Sequence, residues 1–377
     1  MVKISPFKAL RPNTELVEKV PTRAYSNYSK SEIKEEKKKN KYSFLHIINQ
    51  QEVESLKERF KIIKNKINDF KNQRILKTEL DESIYIYQQE KNQKKYTGII
   101  CAVDLQDYQK GKIKIHEKTI SKRELLFSKY LSITKIHAEP VLLTYNEDID
   151  IIHQNYLKEI LYDFRSKDNV RHQIWQIKDE EKIEEITSMM KKIENLYIAD
   201  GHHRMASSFN NNNNGKCLAY ILPKKELSIY PFHRAIKIDQ NTKNIIKTLT
   251  EKLSIEKIEK PKINSKQIQF FIKKQWFKVK EKENNNDLLI TQLSKKIMQP
   301  IFGIINEKKN EDIRFIPGDK TMEQVIENIK KNEILFLMNK IEMDTIIQIA
   351  DNNQTTPPKS TFILPKVSSG LIMMELK

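Results

Sequence analysis

Apolar residues in the first quarter of the chain follow a helical spacing and then a strand spacing. From Glu52 to Leu80 they recur every three or four positions, at Val53, Leu56, Phe60, Ile63, Ile67 and Phe70. This spacing predicts an amphipathic helix. Ser83–Gln88 alternates around two isoleucines and Tyr96–Leu105 is a β-type run. Two strands joined across the polar Gln89–Lys95 turn therefore predict a hairpin.

The rest of the chain mixes further helices and strands. The charged run Glu32–Asn40 indicates a capped, solvated helix, and Tyr42–Ile48 indicates a short strand. Other predicted helices are Ser121–Ile136, Asp148–Phe164, Glu180–Glu194, Asn241–Leu253, Thr321–Lys331 and Met343–Ala350, and loops are expected at Asn210–Gly215 and Glu281–Asp287. Other predicted strands are Pro140–Tyr145, His172–Ile177, Asn195–Ala199, Lys216–Leu222, Ser228–Phe232, Ile268–Ile272, Trp276–Val279, Ile301–Ile305 and Ile334–Met338. This order indicates an α+β fold with mixed β-sheets and flanking helices.

The chain has 377 residues with 68 Lys plus Arg against 50 Asp plus Glu, a formal charge of +18. Such an excess ordinarily favours an anionic partner such as nucleic acid or a membrane. Only ten of the basic residues are arginines and 58 are lysines. Arginine is the side chain that phosphate and base recognition prefers. A lysine surplus beside Asn and Ile runs is typical of drift toward A/T-rich codons, so nucleic acid is not the expected partner.

Cysteine usage and hydropathy predict a cytoplasmic protein. Two cysteines, Cys101 and Cys217, are too few for a disulfide framework or a cysteine zinc site, which fits a reducing compartment. Met1–Pro12 lacks the apolar stretch of a signal peptide, and no apolar run reaches the roughly 18 residues that span a bilayer. We therefore expect neither export nor insertion into a membrane.

The most informative segment for chemistry is Asp200-Gly201-His202-His203-Arg204, at the end of an apolar strand and the start of a helix. Free N–H groups and the positive dipole end of a helix favour an anion, and these three basic side chains add donors. Three interpretations remain open: a phosphate site, an N-cap at Asp200 with buried structural histidines, or a metal site. Asp200 is the candidate Mg²⁺ ligand. No HExxH pattern or cysteine partner completes a zinc set.

A second group of polar residues contains His116-Glu117-Lys118-Thr119. A carboxylate near a nucleophilic hydroxyl is what a general base for alcohol activation requires. Glu117 is the candidate base, and an ordinary surface glutamate is the alternative.

Several short strings, in order along the chain, resemble the domain-of-unknown-function 1015 family of bacteria and archaea, from residue 4 to about 372. They are Ile4–Pro12, Ser43–His46, Asp107–Tyr108 with Gly111, His116–Thr119, His172–Trp175, Tyr197–Arg204, Pro231–Arg234, and Pro357–Thr361 with Pro365–Lys366. The Asp-Gly-His-His-Arg string is the sharpest of them.

The family is grouped with the ParB/sulfiredoxin-like superfamily, which includes free-serine kinases that carry a similar string and an upstream His-Glu. The resemblance implies nucleotide or phosphate binding by Asp200, Gly201, His202, His203 and Arg204, and a catalytic base at Glu117. It implies a ParB/sulfiredoxin-like core at residues 96–240, an N-terminal α/β segment at 1–95 packed on it, and a C-terminal α+β segment at 241–377. Further candidates for the same pocket are His116, Thr119, His233, Arg234, Lys359, Ser360, Thr361 and Lys366.

The resulting hypothesis is a phosphotransferase that uses ATP or ADP with Mg²⁺ and acts on a small hydroxylated metabolite, with free L-serine as the first candidate acceptor. An anion site, a metal and one base are a sufficient set of parts for such a reaction. The alternative is a nucleotide-binding ParB-like module or switch without turnover and with DNA association, against which the absence of a recognisable helix-turn-helix counts. The sequence carries no signal for an oligomeric state.

Overall fold

Strands Ile84–Lys91 and Lys94–Asp104 pair as the predicted hairpin in the computed structural model. The structure describes residues 1–238, 242–280, 287–307 and 310–376. The two turn residues, Asn92 and Gln93, both have a positive φ, at 51° and 65°. A two-residue turn with this backbone matches the twist of the strands that it joins. The hairpin is confirmed, with longer strands than the alternation indicated.

The strands in chain order are β1 (Ile4–Ser5), β2 (Ala9–Pro12), β3 (Leu76–Thr78), β4 (Ile84–Lys91), β5 (Lys94–Asp104), β6 (Ile113–Lys114), β7 (Ile136–His137), β8 (Val141–Tyr145), β9 (Ile160–Arg165), β10 (Arg171–Ile177), β11 (Leu196–Asp200), β12 (Lys216–Pro223), β13 (Ser228–Lys237), β14 (Ile255–Ile258), β15 (Gln269–Ile272), β16 (Gln275–Val279), β17 (Ile313–Pro317), β18 (Glu333–Leu337), β19 (Thr361–Leu364) and β20 (Met373–Glu375). The helices are α1 (Lys30–Lys39), α2 (Leu45–Ile48), α3 (Leu56–Asn72), α4 (Leu105–Gln109), α5 (Ser121–Thr134), α6 (Glu180–Met190), α7 (His202–Asn211), α8 (Thr242–Leu253), α9 (Leu289–Leu293), α10 (Gln299–Phe302), α11 (Met322–Glu327) and α12 (Met343–Asp351), with a π-helical turn at Ser294–Met298.

The chain forms two compact units, of which the first contains residues Met1–Leu227 and Pro365–Lys377. Its large sheet has the order β6-β11-β8-β12-β5-β4-β10-β9, with β1 beside β5. A small sheet has the order β3-β2-β20-β7, so the C-terminal strand closes it. Parallel and antiparallel pairs occur together, since β12 is parallel to β8 and antiparallel to β5. The α+β class with mixed sheets is confirmed.

The second unit contains residues Ser228–Leu364. Its sheet has the order β14-β16-β15-β18-β13-β17, with β19 beside β13. A core around Phe270 and Phe336 lies against this sheet. The predicted loop Glu281–Asp287 lies outside the described residues except for Asp287. In the described part of the chain, no helix combines the length and the apolar character that crossing a bilayer demands.

The predicted helix at Asp148–Phe164 is wrong. A 3-10 turn at Gln154–Tyr156 and strand β9 occupy this segment, and β9 pairs with β10. Tyr162 and Phe164 are buried while Asp163 between them is exposed, which is a period of two. The apolar residues that precede Tyr156 resemble a helical stripe only because they pack on the core from an irregular loop.

Two other predicted strands are helical. Tyr42–Ile48 contains α2, whose Leu45 and Ile47 are fully buried. Ile301–Ile305 contains the end of α10, which stops at Gly303 with a φ of +66°. Both segments are short apolar runs, for which periodicity does not separate a strand from a buried helical turn.

Candidate functional site

The Asp200–Arg204 string forms the predicted junction between a strand and a helix in the first unit. Strand β11 ends at Asp200, Gly201 has a φ of +103°, and α7 begins at His202. A left-handed backbone at this point favours glycine. Gly201 rather than Asp200 takes the N-cap position, and no side chain caps the helix there. The first N–H groups of α7 thus have the arrangement that binds anions at helix N-termini.

Both histidines of the first turn contact the loop that carries Glu117. The rings of His202 and His116 meet edge to face with 4.5 Å between centroids, and the backbone N–H of His116 lies 3.5 Å from Nε2 of His202. Nε2 of His203 accepts a hydrogen bond from the backbone N–H of Ile120 at 3.0 Å. A ring nitrogen that accepts an N–H is deprotonated, so His203 is neutral here and its Nδ1–H is the donor. The two histidines therefore hold the loop against the first turn of the helix.

Glu117 lies between these two attachment points. It is half-buried and follows His116 directly, and consecutive Cα atoms are 3.8 Å apart. Burial lowers the pKa of His116 to about 4, while the charges of Glu117 and Asp200 act in the opposite direction. Both carboxylates are thus close enough to His116 to influence its protonation. The hydroxyl of Thr119 in the same loop donates to the carboxylate of Glu124 on α5.

Arg204 folds back toward the start of its own helix. A Cβ added to Gly201 would lie 3.1–3.2 Å from Nε, Cζ and Nη2 of this guanidinium, so glycine also leaves room for the side chain. Nη1 donates to the carbonyl of Pro140 and lies 3.3 Å from Oε2 of Glu139. Glu139 was not among the residues predicted from the sequence. Local sequence patterns do not indicate Glu139, because its neighbour Pro140 is 64 residues from Arg204 and no local spacing links the two.

The C-terminal segment of the first unit reaches the same junction. Nζ of Lys366 lies 2.9 Å from Oδ2 of Asp200, and the amide of Gln89 donates to the carbonyl of Lys366 at 3.0 Å. Ser369 donates to Oε1 of Glu139. The structure therefore brings the predicted residue Lys366 to the Asp200–Arg204 turn.

The other C-terminal and β13 candidates lie in the second unit and contact residues of that unit. Arg234 is fully buried, with Nε 3.2 Å from Glu307 and Nη2 donating to the carbonyl of Pro358 at 3.0 Å. Nδ1 of His233 accepts the N–H of Met338 at 3.1 Å. Ser360 donates to the carbonyl of Pro357 at 2.5 Å, and Thr361 begins β19. The ammonium of Lys359 lies 5.2 Å from the ring centroid of Phe232.

A divalent metal has one candidate ligand, Asp200. In the ranges that the structure describes, no group of three or more His, Cys, Asp or Glu side chains is placed to hold a metal ion. Mg²⁺ is usually bound by one or two carboxylates together with waters and substrate phosphates. A single partly exposed carboxylate beside the N-terminus of α7 fits that type of site.

We expect the first unit to lose stability in acid because it contains three buried histidines. Burial lowers the pKa of His116, His137 and His172 from 6.5 to about 4. Between these pH values the unfolded chain binds more protons than the folded chain. The contribution of these histidines to the free energy of unfolding is therefore fully present above pH 6.5 and is lost as the pH falls toward 4. Each histidine contributes up to about 3 kcal/mol to this loss.

Urea unfolding between about pH 7.5 and pH 4.5 measures the effect. The variant His137→Gln should show a flatter dependence on pH, and the exposed His153→Gln should keep the wild-type slope. A stability that does not change over this range would contradict the prediction.

The family model DUF1015, described as a protein of unknown function, matches residues 4–301. No curated protein sequence is significantly similar to the chain.

Several solved structures resemble this chain in fold but share little of its sequence. SbnI with a C-terminal truncation, from Staphylococcus aureus, is 11% identical, with a TM-score of 0.43 over 70% of this chain and 82% of that chain. A variant of a free serine kinase in complex with ADP is 14% identical, with a TM-score of 0.41 over 74% and 92%. A conserved hypothetical protein from Pyrococcus furiosus is 14% identical, with a TM-score of 0.38 over 71% and 93%.

Proposed function

Because the chain belongs to the DUF1015 family, whose activity the family description leaves open, we propose from its own site that it is a nucleotide-dependent phosphotransferase acting on a small hydroxylated metabolite. The observation that carries the proposal is that His202 and His203, in the first turn of α7, contact the loop that carries Glu117. An anion site and a candidate base thus lie on two segments in direct contact.

The phosphates of ATP or ADP are assigned to the N-terminus of α7. Its backbone N–H groups and Arg204 supply donors to phosphate oxygens. Lys366 adds a second positive charge beside Asp200. Phosphoryl transfer depends mainly on position and on neutralising charge, which these groups provide.

Asp200 is the residue that would hold Mg²⁺, and the ion would supply positive charge that neutralises the phosphates there. A salt bridge from Lys366 at 2.9 Å orients this carboxylate until then. The ammonium of Lys366 would then turn from Asp200 toward a phosphate oxygen. Calorimetric titration with Mg²⁺, in the presence and absence of nucleotide, reports on this ligand independently of turnover.

Glu117 is assigned the role of general base. It accepts the proton of the acceptor's hydroxyl group as the oxygen attacks the terminal phosphorus, and the nucleotide leaves with its remaining phosphates. Free L-serine is the first acceptor to test, since the family that the sequence resembles is grouped with a superfamily that contains free-serine kinases. O-phospho-L-serine is the product of that reaction.

The test is incubation of the purified protein with ATP or ADP, Mg²⁺ and a pool of hydroxylated metabolites that includes L-serine. Mass spectrometry should detect one phosphorylated product, with stoichiometric loss of phosphate from the nucleotide. Binding of nucleotide without any product would instead support the non-catalytic nucleotide-binding module. Absence of both binding and product would contradict the proposal.

A further inference from the structure

The contacts of the Arg204 guanidinium in the described chain are made on one side of the group. Nη1 meets the carbonyl of Pro140 and the carboxylate of Glu139. Nε, Cζ and Nη2 all lie 3.1–3.2 Å from the position of a Cβ added to Gly201, so the flat face of the guanidinium covers this residue at the start of α7. A guanidinium carries five N–H donors in a planar fork, and its Nε/Nη2 edge can bind a phosphate in bidentate fashion. Both polar contacts are made by Nη1, so they do not use the Nε/Nη2 edge, which lies beside the N-terminus of the helix.

Glu139 is itself held in place from the C-terminal segment. Its Oε1 accepts the hydroxyl of Ser369, while its Oε2 faces Arg204. Ser369 is fixed by two backbone hydrogen bonds with Thr22, at 3.0 and 2.9 Å, and the N–H of Gly370 donates to the carbonyl of Ala138 at 3.0 Å. The series Ser369, Glu139, Arg204 therefore connects a fixed main chain to the guanidinium.

The Glu139–Arg204 pair is mostly buried but still reaches solvent. The side chains are 21% and 24% exposed, so a ligand that arrives from solvent can contact the guanidinium. Holding a long side chain in one orientation before a ligand arrives removes part of the entropy cost of binding. The arrangement is suited to that purpose.

Resting on the proposed function, we propose that Glu139 is a positioning residue for phosphate binding. It holds the guanidinium of Arg204 over Gly201 at the N-terminus of α7, and Ser369 holds Glu139 in turn. The C-terminal segment thereby sets the affinity of the site for the nucleotide's phosphates, although Glu139 contacts no phosphate itself.

Positioning and simple electrostatics make opposite predictions for Glu139→Ala. Removing a negative charge beside an anion site should strengthen phosphate binding if charge alone mattered. If orientation matters, affinity for ADP and for pyrophosphate should fall by about tenfold, as expected when one charged partner of a group in a binding site is truncated. Glu139→Gln keeps an acceptor for Arg204 and a donor for Ser369, so it should bind at least as tightly as the wild type. Ser369→Ala should show an intermediate loss of about threefold.

A double-mutant cycle decides whether Glu139 acts through Arg204. Calorimetric titrations of ADP and of pyrophosphate are compared for the wild type, Glu139→Ala, Arg204→Ala and the double variant, with thermal unfolding as the check of folding. Arg204→Ala should weaken binding by at least tenfold, and Glu139→Ala should have no additional effect in that background.

The outcomes separate this inference from the proposed function. A wild type that binds neither ADP nor pyrophosphate overturns the proposed function and this inference with it. Retention of wild-type affinity in Glu139→Ala, tighter binding, or an equal loss in the Arg204→Ala background overturns the inference alone.

Discussion

Replacement of Glu117 by Gln is expected to slow phosphoryl transfer by about 10²- to 10⁴-fold, the usual contribution of a general base. Glutamine has nearly the same shape but does not accept a proton at neutral pH. Because the neighbouring His116 and Ile120 hold the loop against α7, the fold should not change. Nucleotide affinity should stay within about twofold of the wild type, since the carboxylate acts on the acceptor and not on the donor.

Single-turnover kinetics with ATP or ADP and the identified acceptor measure this loss. The matched control is Glu181→Gln on α6, which changes an exposed glutamate of the same unit and should keep full activity. Full activity in Glu117→Gln would remove the proposed base. A loss of nucleotide binding as large as the loss of rate would assign Glu117 to binding instead.

Replacement of Gly370 by Ala is expected to destabilise the first unit by about 3–5 kcal/mol. Gly370 has a φ of +77°, and an added Cβ would lie 2.6 Å from Cγ and Cδ2 of Phe44, whose ring is fully buried. The variant therefore combines backbone strain with overlap against a core side chain. Because Ser369 and Lys366 lie on the same segment, nucleotide affinity should also fall.

Gly111 provides the matched control for this prediction. Its φ of +72° is nearly the same, but no atom lies within 4 Å of an added Cβ. Gly111→Ala should cost only the backbone term, about 1–2 kcal/mol. Urea unfolding of the two variants separates overlap from strain, and equal losses of stability would show that the packing of Gly370 on Phe44 is unimportant.

The sequence indicates the candidate site only where its residues follow one another in the chain. The strand, Gly201 and the helical turn with His202, His203 and Arg204 follow one another in the chain, so apolar periodicity and turn chemistry indicate them together. The attachment of His203 to the N–H of Ile120 joins positions 83 residues apart. No pattern within a window of ten or twenty residues reports such a contact.

The helix predicted at Asp148–Phe164 shows the same limit within the fold. Isoleucines before Tyr156 pack on a core that other strands build, so their spacing reflects that core and not a helix. Strand β9 is specified by its pairing with β10, which is a tertiary contact. Tertiary context therefore overrides local spacing wherever an irregular segment covers a core.

The sequence by itself determined the α+β class, the hairpin of β4 and β5, and the junction at which α7 begins, because each depends on residues close together in the chain. Only the tertiary structure decided that Lys366 reaches Asp200, that Ser369 reaches Glu139, and that Glu139 fixes Arg204. Those contacts span 166, 230 and 65 positions, and they form because β20 pairs with β2 and β7 and returns the C-terminal segment to the first unit. Strand pairing of this kind depends on the burial of a whole sheet, so its partners are settled only when the chain has folded.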